Sequence, residues 1–252
     1  MSGTQQDRRF IGFGAWVVVG LVAGWVTLAA GSALAAPAAS EAKSAKATQT
    51  VTRVHRLELT DISRLSVVNS VGSLSIQLGD VDRLEVTVEI KSDRRGWFSK
   101  HRDVSDIDID IHRRGEQLRL ALEQENVSGH WRVILPRKRL GLIDVNAGVG
   151  EMKIEALTAK LEIDLGVGEV AVRSPEGVID VDVGVGDIKI FTRQANAGAV
   201  RGSVGVGEVT VSGEGVDSRG RGVVNIKAAG RGDNEIAAAA GVGDIEIVLT
   251  QP

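Results

Sequence analysis

Six polar residues recur as pairs at a fixed interval: Asp144 with Asn146, Glu162 with Asp164, and Asp180 with Asp182. Two-residue spacing on a strand puts both members of a pair on one face. The 18-residue interval between pairs sets them side by side if each repeat is one structural unit. This predicts two outward columns, Asp144/Glu162/Asp180/Arg201 and Asn146/Asp164/Asp182/Ser203. Five carboxylates then share a small area, with neighbours about 5–7 Å apart. Like charges that close repel, so counterions, a divalent cation or a basic partner should compensate. The plainer reading is a solvated acidic face that discourages sheet-to-sheet aggregation.

The elements that must position these residues announce themselves by repetition. GVGEMKI (148–154), GVGEVAV (166–172), GVGDIKI (184–190), GVGEVTV (205–211) and GVGDIEI (241–247) are five copies of one phrase. A short fixed period signals a unit stacked on copies of itself. In 161–178, Leu161, Ile163, Leu165 and Val167 alternate with Glu162, Asp164 and Gly166, which reads as a strand with odd positions inward. Parity breaks at Gly168-Glu169, after which Val170 and Val172 face inward. The second glycines, Gly150, Gly168, Gly186, Gly207 and Gly243, read as a corner that needs positive φ. The first glycines, Gly148, Gly166, Gly184 and Gly205, leave a bare outward stripe. Close approach of another backbone or local twist would each explain them.

Three inward columns are expected: Val145/Ile163/Val181, Val149/Val167/Val185/Val206 and Met152/Val170/Ile188/Val209/Ile245. The acids after each G-x-G, Glu151, Glu169, Asp187, Glu208 and Asp244, are expected to accept corner N–H groups. Ser174-Pro175-Glu176-Gly177 reads as a turn. Upstream, 84–90, 107–111 and 118–122 alternate with period two, and no helical period appears. LSVVNSVGSLSI (65–76) can be laid over IDVNAGVGEMKI (143–154) as a degenerate first copy. Residues 212–240 read as irregular.

The stretch WRVILPRKRLGLIDVNAGVGEMKI (131–154), with a strand ending at Pro136 before the first phrase, resembles the bacterial putative-adhesin family of exported β-solenoid proteins. The resemblance covers roughly residues 55–250. It implies that fold, an envelope location and a nominal adhesive role, and it supplies no catalytic residues.

Several familiar chemistries fail on detail. The 18-residue period equals two nonapeptides of a calcium β-roll, but Met152, Val170, Ile188 and Val209 stand where its aspartates should be. G-x-G here lacks a third glycine and opens a strand, so it is no dinucleotide loop. Asp106-x-Asp108-x-Asp110 puts Ile111 and Gln117 where a calcium loop needs glycine and glutamate. His55, His101, His112 and His130 show no metal-ligand spacing. The aromatic-basic stretch 93–102 suits a hairpin tip or an anionic surface. Arg231-Gly232-Asp233 is best read as a chance tripeptide in a Gly/Arg-rich segment.

Composition narrows the class. The 252-residue chain has no cysteine and no tyrosine, which excludes disulfides, thiolate metal sites and a cysteine nucleophile. Its core must be aliphatic. Net charge is −3 overall, but residues 36–140 carry +3 and residues 141–252 carry −7. That asymmetry argues against a uniform nucleic-acid surface. At the start, Arg8-Arg9, an apolar run from Phe10 to about Ala30, and Ala33-Leu34-Ala35 form a secretory-signal pattern. An uncleaved membrane anchor is the alternative.

The expectation is an all-β protein: a β-solenoid, parallel β-helix-like, with about 18 residues per coil and an atypical N-terminal β cap. Residues 1–35 would be a signal peptide, 36–52 a flexible linker, 53–135 the cap and 136–250 the repeats. The expected role is non-catalytic binding, adhesion or structure in the periplasm or at the cell surface. No cofactor or metal and no nucleic acid are expected. The partner would be an envelope or cell-surface protein or glycan, or a second copy. Membrane contact would come only through an uncleaved N-terminal segment. A carbohydrate-active β-helix enzyme and an envelope-stress or regulatory accessory protein are the other classes.

Overall fold

The computed structural model describes residues 49–93, 103–137, 140–155, 158–173 and 176–251. The expected signal, most of the linker, residues 94–102 of the aromatic-basic stretch and Ser174-Pro175 lie outside the described residues. Among the described residues all regular structure is strand. The first six strands are β1 (Thr50–Leu57), β2 (Arg64–Leu78), β3 (Leu84–Ser92), β4 (Asp110–Arg114), β5 (Gln117–Leu122) and β6 (Val127–Leu135). Next come β7 (Leu142–Glu155), β8 (Lys160–Arg173), β9 (Ile179–Val185) and β10 (Ile188–Arg193). The last four are β11 (Ala197–Gly213), β12 (Val216–Ala229), β13 (Asn234–Val242) and β14 (Ile245–Thr250). No helix among the described residues is long and apolar enough to cross a membrane.

Period-two alternation builds the N-terminal strands. Leu84, Val86, Val88 and Ile90 on β3 are fully buried, and β3 pairs antiparallel with β1 on one side and β6 on the other. In 107–111, Ile107 and Ile109 are buried as their alternation requires, but the strand begins only at Asp110. The long strand β2 pairs parallel with β7 in the register read from sequence: Leu65 faces Ile143, Gly72 faces Gly150 and Ile76 faces Ile154. β7 then pairs parallel with β8.

From β8 onward the strands close on themselves. β8, β9, β13, β11, β14 and β10 pair in that order, every pair parallel, and β10 pairs back to β8. The ring closes because β8 and β11 are long and bent. The first half of β8 pairs with β9 and the second half with β10; β11 treats β13 and β14 the same way. The fold is a closed six-stranded parallel barrel with the remaining strands outside it. This corrects the expected β-solenoid, in which each coil lies beside the next one in the chain. Here GVGDIEI (241–247) lies between GVGDIKI (184–190) and GVGEVTV (205–211). A hairpin forces the exchange. Gly215, at φ +71°, turns β11 into antiparallel β12, which takes one edge of β11 and leaves only the other for β13 and β14. Residues 212–240 are therefore regular strand and turn rather than irregular.

One hydrophobic core runs through the described residues on both sides of residue 135. Val145, Ile163 and Val181 form a buried column, as read from parity. Met152, Val170 and Ile188 continue through Ile245 to Val209, so the last two members exchange places. The column Val149/Val167/Val185/Val206 is not core at all: its members are 44–62% exposed. Between inward Leu165 and inward Val170, the four residues 166–169 turn the corner and none of them is buried. The parity break is spread over the whole corner, which leaves the valine on its outer side.

Candidate binding surface

The corner is built by glycine. Gly150, Gly168, Gly186, Gly243 and Gly207 have φ between +138° and +159°. A Cβ at any of them would stand 1.6–2.0 Å from the carbonyl oxygen of the matching glycine next door. The first-glycine column is also explained by close approach rather than twist. A Cβ at Gly148, Gly166, Gly184, Gly241 or Gly205 would lie 2.4–2.6 Å from a neighbouring carbonyl oxygen. The phrase Gly-Val-Gly thus gives the backbone its bend and its spacing, and holds the valine out.

All six predicted polar residues fall on one face. Asp144, Glu162 and Asp180 are paired across β7, β8 and β9, as are Asn146, Asp164 and Asp182. Ala237 and Ala239 of β13 come next, so Arg201 and Ser203 stand one strand farther away than read from sequence. Arg201 instead pairs with Glu235. The first column is partly neutralised. Ser66 Oγ donates to Asp144 at 3.2 Å, Asn146 Nδ2 donates to Asp144 at 2.8 Å, and Lys160 Nζ lies 2.5 Å from Glu162. Those contacts with Glu162 raise the Lys160 pKa. Among the described residues no donor or cation bonds Asp164, Asp180 or Asp182. Partial burial, then the charges of Asp180 and Asp164, push the Asp182 carboxyl above its ordinary pKa.

A trough of about 770 Å³ runs across five strands beside these acids. Asn146, Asp164 and Asp182 line it, with the bare backbone of Gly148, Gly166, Gly184 and Gly241. Asn69 at its end is anchored by donating to the Gly129 carbonyl at 3.1 Å. A second hollow of about 390 Å³ lies between Ser203–Gly205 and Val223–Asn225.

Next to the trough lies a row of valines, four of which, Val149, Val167, Val185 and Val206, parity assigns to the core. Val71, Val149, Val167, Val185, Val242 and Val206 are paired rung by rung across six strands. At about 4.8 Å per rung this ladder is about 24 Å long. Val223 on β12, 90% exposed, stands near its end. The signal that could have found it is uniformity. All five copies of the phrase keep valine here, while the buried position three residues on varies among Met, Val and Ile.

The acids after the corner divide by length. The short ones do as expected: Asp187 accepts the Asp244 N–H at 2.9 Å, and Asp244 accepts the Glu208 N–H at 2.8 Å. Two of the longer ones, Glu151 and Glu208, reach side chains instead. Glu151 pairs with Lys153 at 2.6 Å, and Glu208 with Arg221 at 2.6 Å and Arg219 at 2.9 Å. Those arginines lower the Glu208 pKa. Elsewhere His55 meets Asp108 at 2.8 Å and His130 meets Ser73 at 2.9 Å. Arg231 of the Arg-Gly-Asp tripeptide is held by Glu214 at 2.9 Å. No group of three or more His, Asp or Glu among the described residues is arranged to hold a metal ion.

No family model and no curated protein matches the chain. Among solved structures it is similar to a putative cell adhesion protein from Clostridium sporogenes. That match has a TM-score of 0.57 and 20% identity, over 80% of this chain and all of that one. The likeness establishes a shared fold. A putative adhesin from Bacteroides fragilis matches loosely, with a TM-score of 0.34 and 11% identity over 79% of this chain and 96% of that one.

Proposed function

We propose that this chain is an exported, non-catalytic binding protein of the cell envelope or surface, working through the trough and the valine ladder. One observation carries the reading: a continuous row of exposed valines runs beside Asp164 and Asp182, which no basic side chain among the described residues neutralises. Long apolar stripes left in water mark interaction surfaces. Carboxylates alongside favour a partner that offers apolar side chains flanked by Lys or Arg. The fold shared with a protein named for cell adhesion supports the same role, and the N-terminal signal pattern supports export. A carbohydrate-active site would want exposed aromatics along a groove, and the residues lining this trough include none.

The test uses the purified protein to capture partners from envelope extract, and separately on glycan and cell surfaces. Binding should weaken in a variant with Asp164→Lys and Asp182→Lys, and in one with Val167→Thr and Val185→Thr. Capture that ignores both variants would place the working surface elsewhere. Fractionation of cells making the full chain, with N-terminal sequencing of the product, tests export and cleavage after Ala35.

A further inference from the structure

We infer that two copies of this chain associate through β12, antiparallel, about a two-fold axis at Gly222. The inference goes beyond the binding role proposed above and does not depend on it.

Strand β12 is the open end of the molecule. It pairs with β11 along one edge, and among the described residues nothing pairs with its other edge. Along these fourteen residues every second one turns its N–H and C=O away from β11, a template for another strand. The other outer strands are managed. Arg53 Nε on β1 donates to the Ile107 carbonyl at 2.8 Å and His55 holds Asp108, so residues 105–108 lie against that strand. β4 is only five residues long. On β12, by contrast, Val216, Val224, Ile226 and Ala228 are only partly buried where they pack on the core.

A second copy fits because β12 is self-complementary in one register. Antiparallel pairing must match inward residues with inward ones, since a one-residue slip reverses the faces. Bent strands must also place their corners together. The molecule already shows this: Gly207, at the corner of β11, faces Gly222, at φ +97°, across their antiparallel pair. Repeating that arrangement puts Gly222 opposite its own copy. Val216 then faces Ala228 of the second copy, Ser218 faces Ile226, and Gly220 faces Val224. Asp217 faces Lys227 twice, once on each side of the axis. Among the described residues neither has an ion-pair partner. Shifting the register by two residues one way sets Arg219 against Lys227. Shifting it the other way sets Arg221 against itself. The register chosen by the corner is also the one chosen by charge. A two-fold contact of this kind closes on itself and stops at two copies.

Sedimentation velocity on the purified protein over a wide concentration range is the test. The expected result is a monomer–dimer equilibrium. Each reversal is counted twice by the symmetry, so Asp217→Lys alone, or Lys227→Asp alone, should weaken the dimer by about tenfold or more. The double variant Asp217→Lys/Lys227→Asp should restore it. Thermal melts of each variant check that the exposed substitutions leave the fold intact. A protein that stays monomeric throughout, a dimer indifferent to the single reversals, or a double variant that stays weak would each overturn the inference.

Discussion

At Gly168 two constraints coincide: φ is +141°, and the Gly150 carbonyl oxygen would sit 1.8 Å from a Cβ. Neither can relax without moving the neighbouring strand. Gly168→Ala should therefore lower stability by about 3 kcal/mol, read as a shifted urea midpoint. Gly115 provides the contrast. Its φ is +57° but no atom lies within 4 Å of the missing Cβ, so Gly115→Asn should change stability by less than about 0.5 kcal/mol. The acidic face yields a pH prediction. The folded state raises the Asp182 pKa, so ionisation there costs stability above that value, and the cost disappears below the ordinary aspartate value of 3.8. Asp182→Asn should raise the melting temperature at neutral pH by about 1–2 °C. The gain should shrink to nothing as pH falls through the carboxylate range. Glu208 runs the other way, because Arg221 and Arg219 lower its pKa. Its contribution is present at neutral pH and is lost on acidification. A melt series in which Asp182→Asn gained most at low pH would contradict this account.

The corner strands carry the protein's most informative surface. Threonine keeps the β-branched shape of valine, so Val167→Thr with Val185→Thr should leave the melting temperature within about 2 °C. The same pair should reduce partner capture if the ladder is the contact. The strands themselves were legible because alternation is local: Val145, Ile163 and Val181 face inward by simple counting, and Leu65 falls opposite Ile143. The valine ladder is hidden from alternation and hinted at only by the invariant valine of the phrase. Counting inward from Leu165 places Val167 in the core, whereas the crowded backbone at Gly166 and Gly168 shows that the corner turns it out. The six acidic-face residues pair across β7, β8 and β9, whereas Arg201 and Ser203 lie one strand farther off. Their position depends on which copy of the phrase comes next in space. GVGDIKI, GVGEVTV and GVGDIEI satisfy the same pairing rules equally well. The Gly213-Glu214-Gly215 hairpin decides between them.

Taken as one body, the described residues share a continuous core, so strands far apart in sequence should fail together. Ile245 on β14 is buried between Ile188 and Val209. Ile245→Ala should cost about 2–5 kcal/mol. Tryptophan fluorescence, with Trp131 buried on the distant strand β6, and far-UV circular dichroism should shift by the same amount. Separate midpoints would mean that the outer strands melt independently of the barrel. The placement of β13 and β14 has a consequence for synthesis. While the chain grows, β9, β10 and β11 are finished before the strands that will lie between them exist. Until residues 234–250 emerge, neither β9 nor β11 has its inner neighbour, and a nascent or truncated chain carries two long parallel edges that can seize the wrong strand. Such a protein is safest when kept unfolded until its last segment has been made.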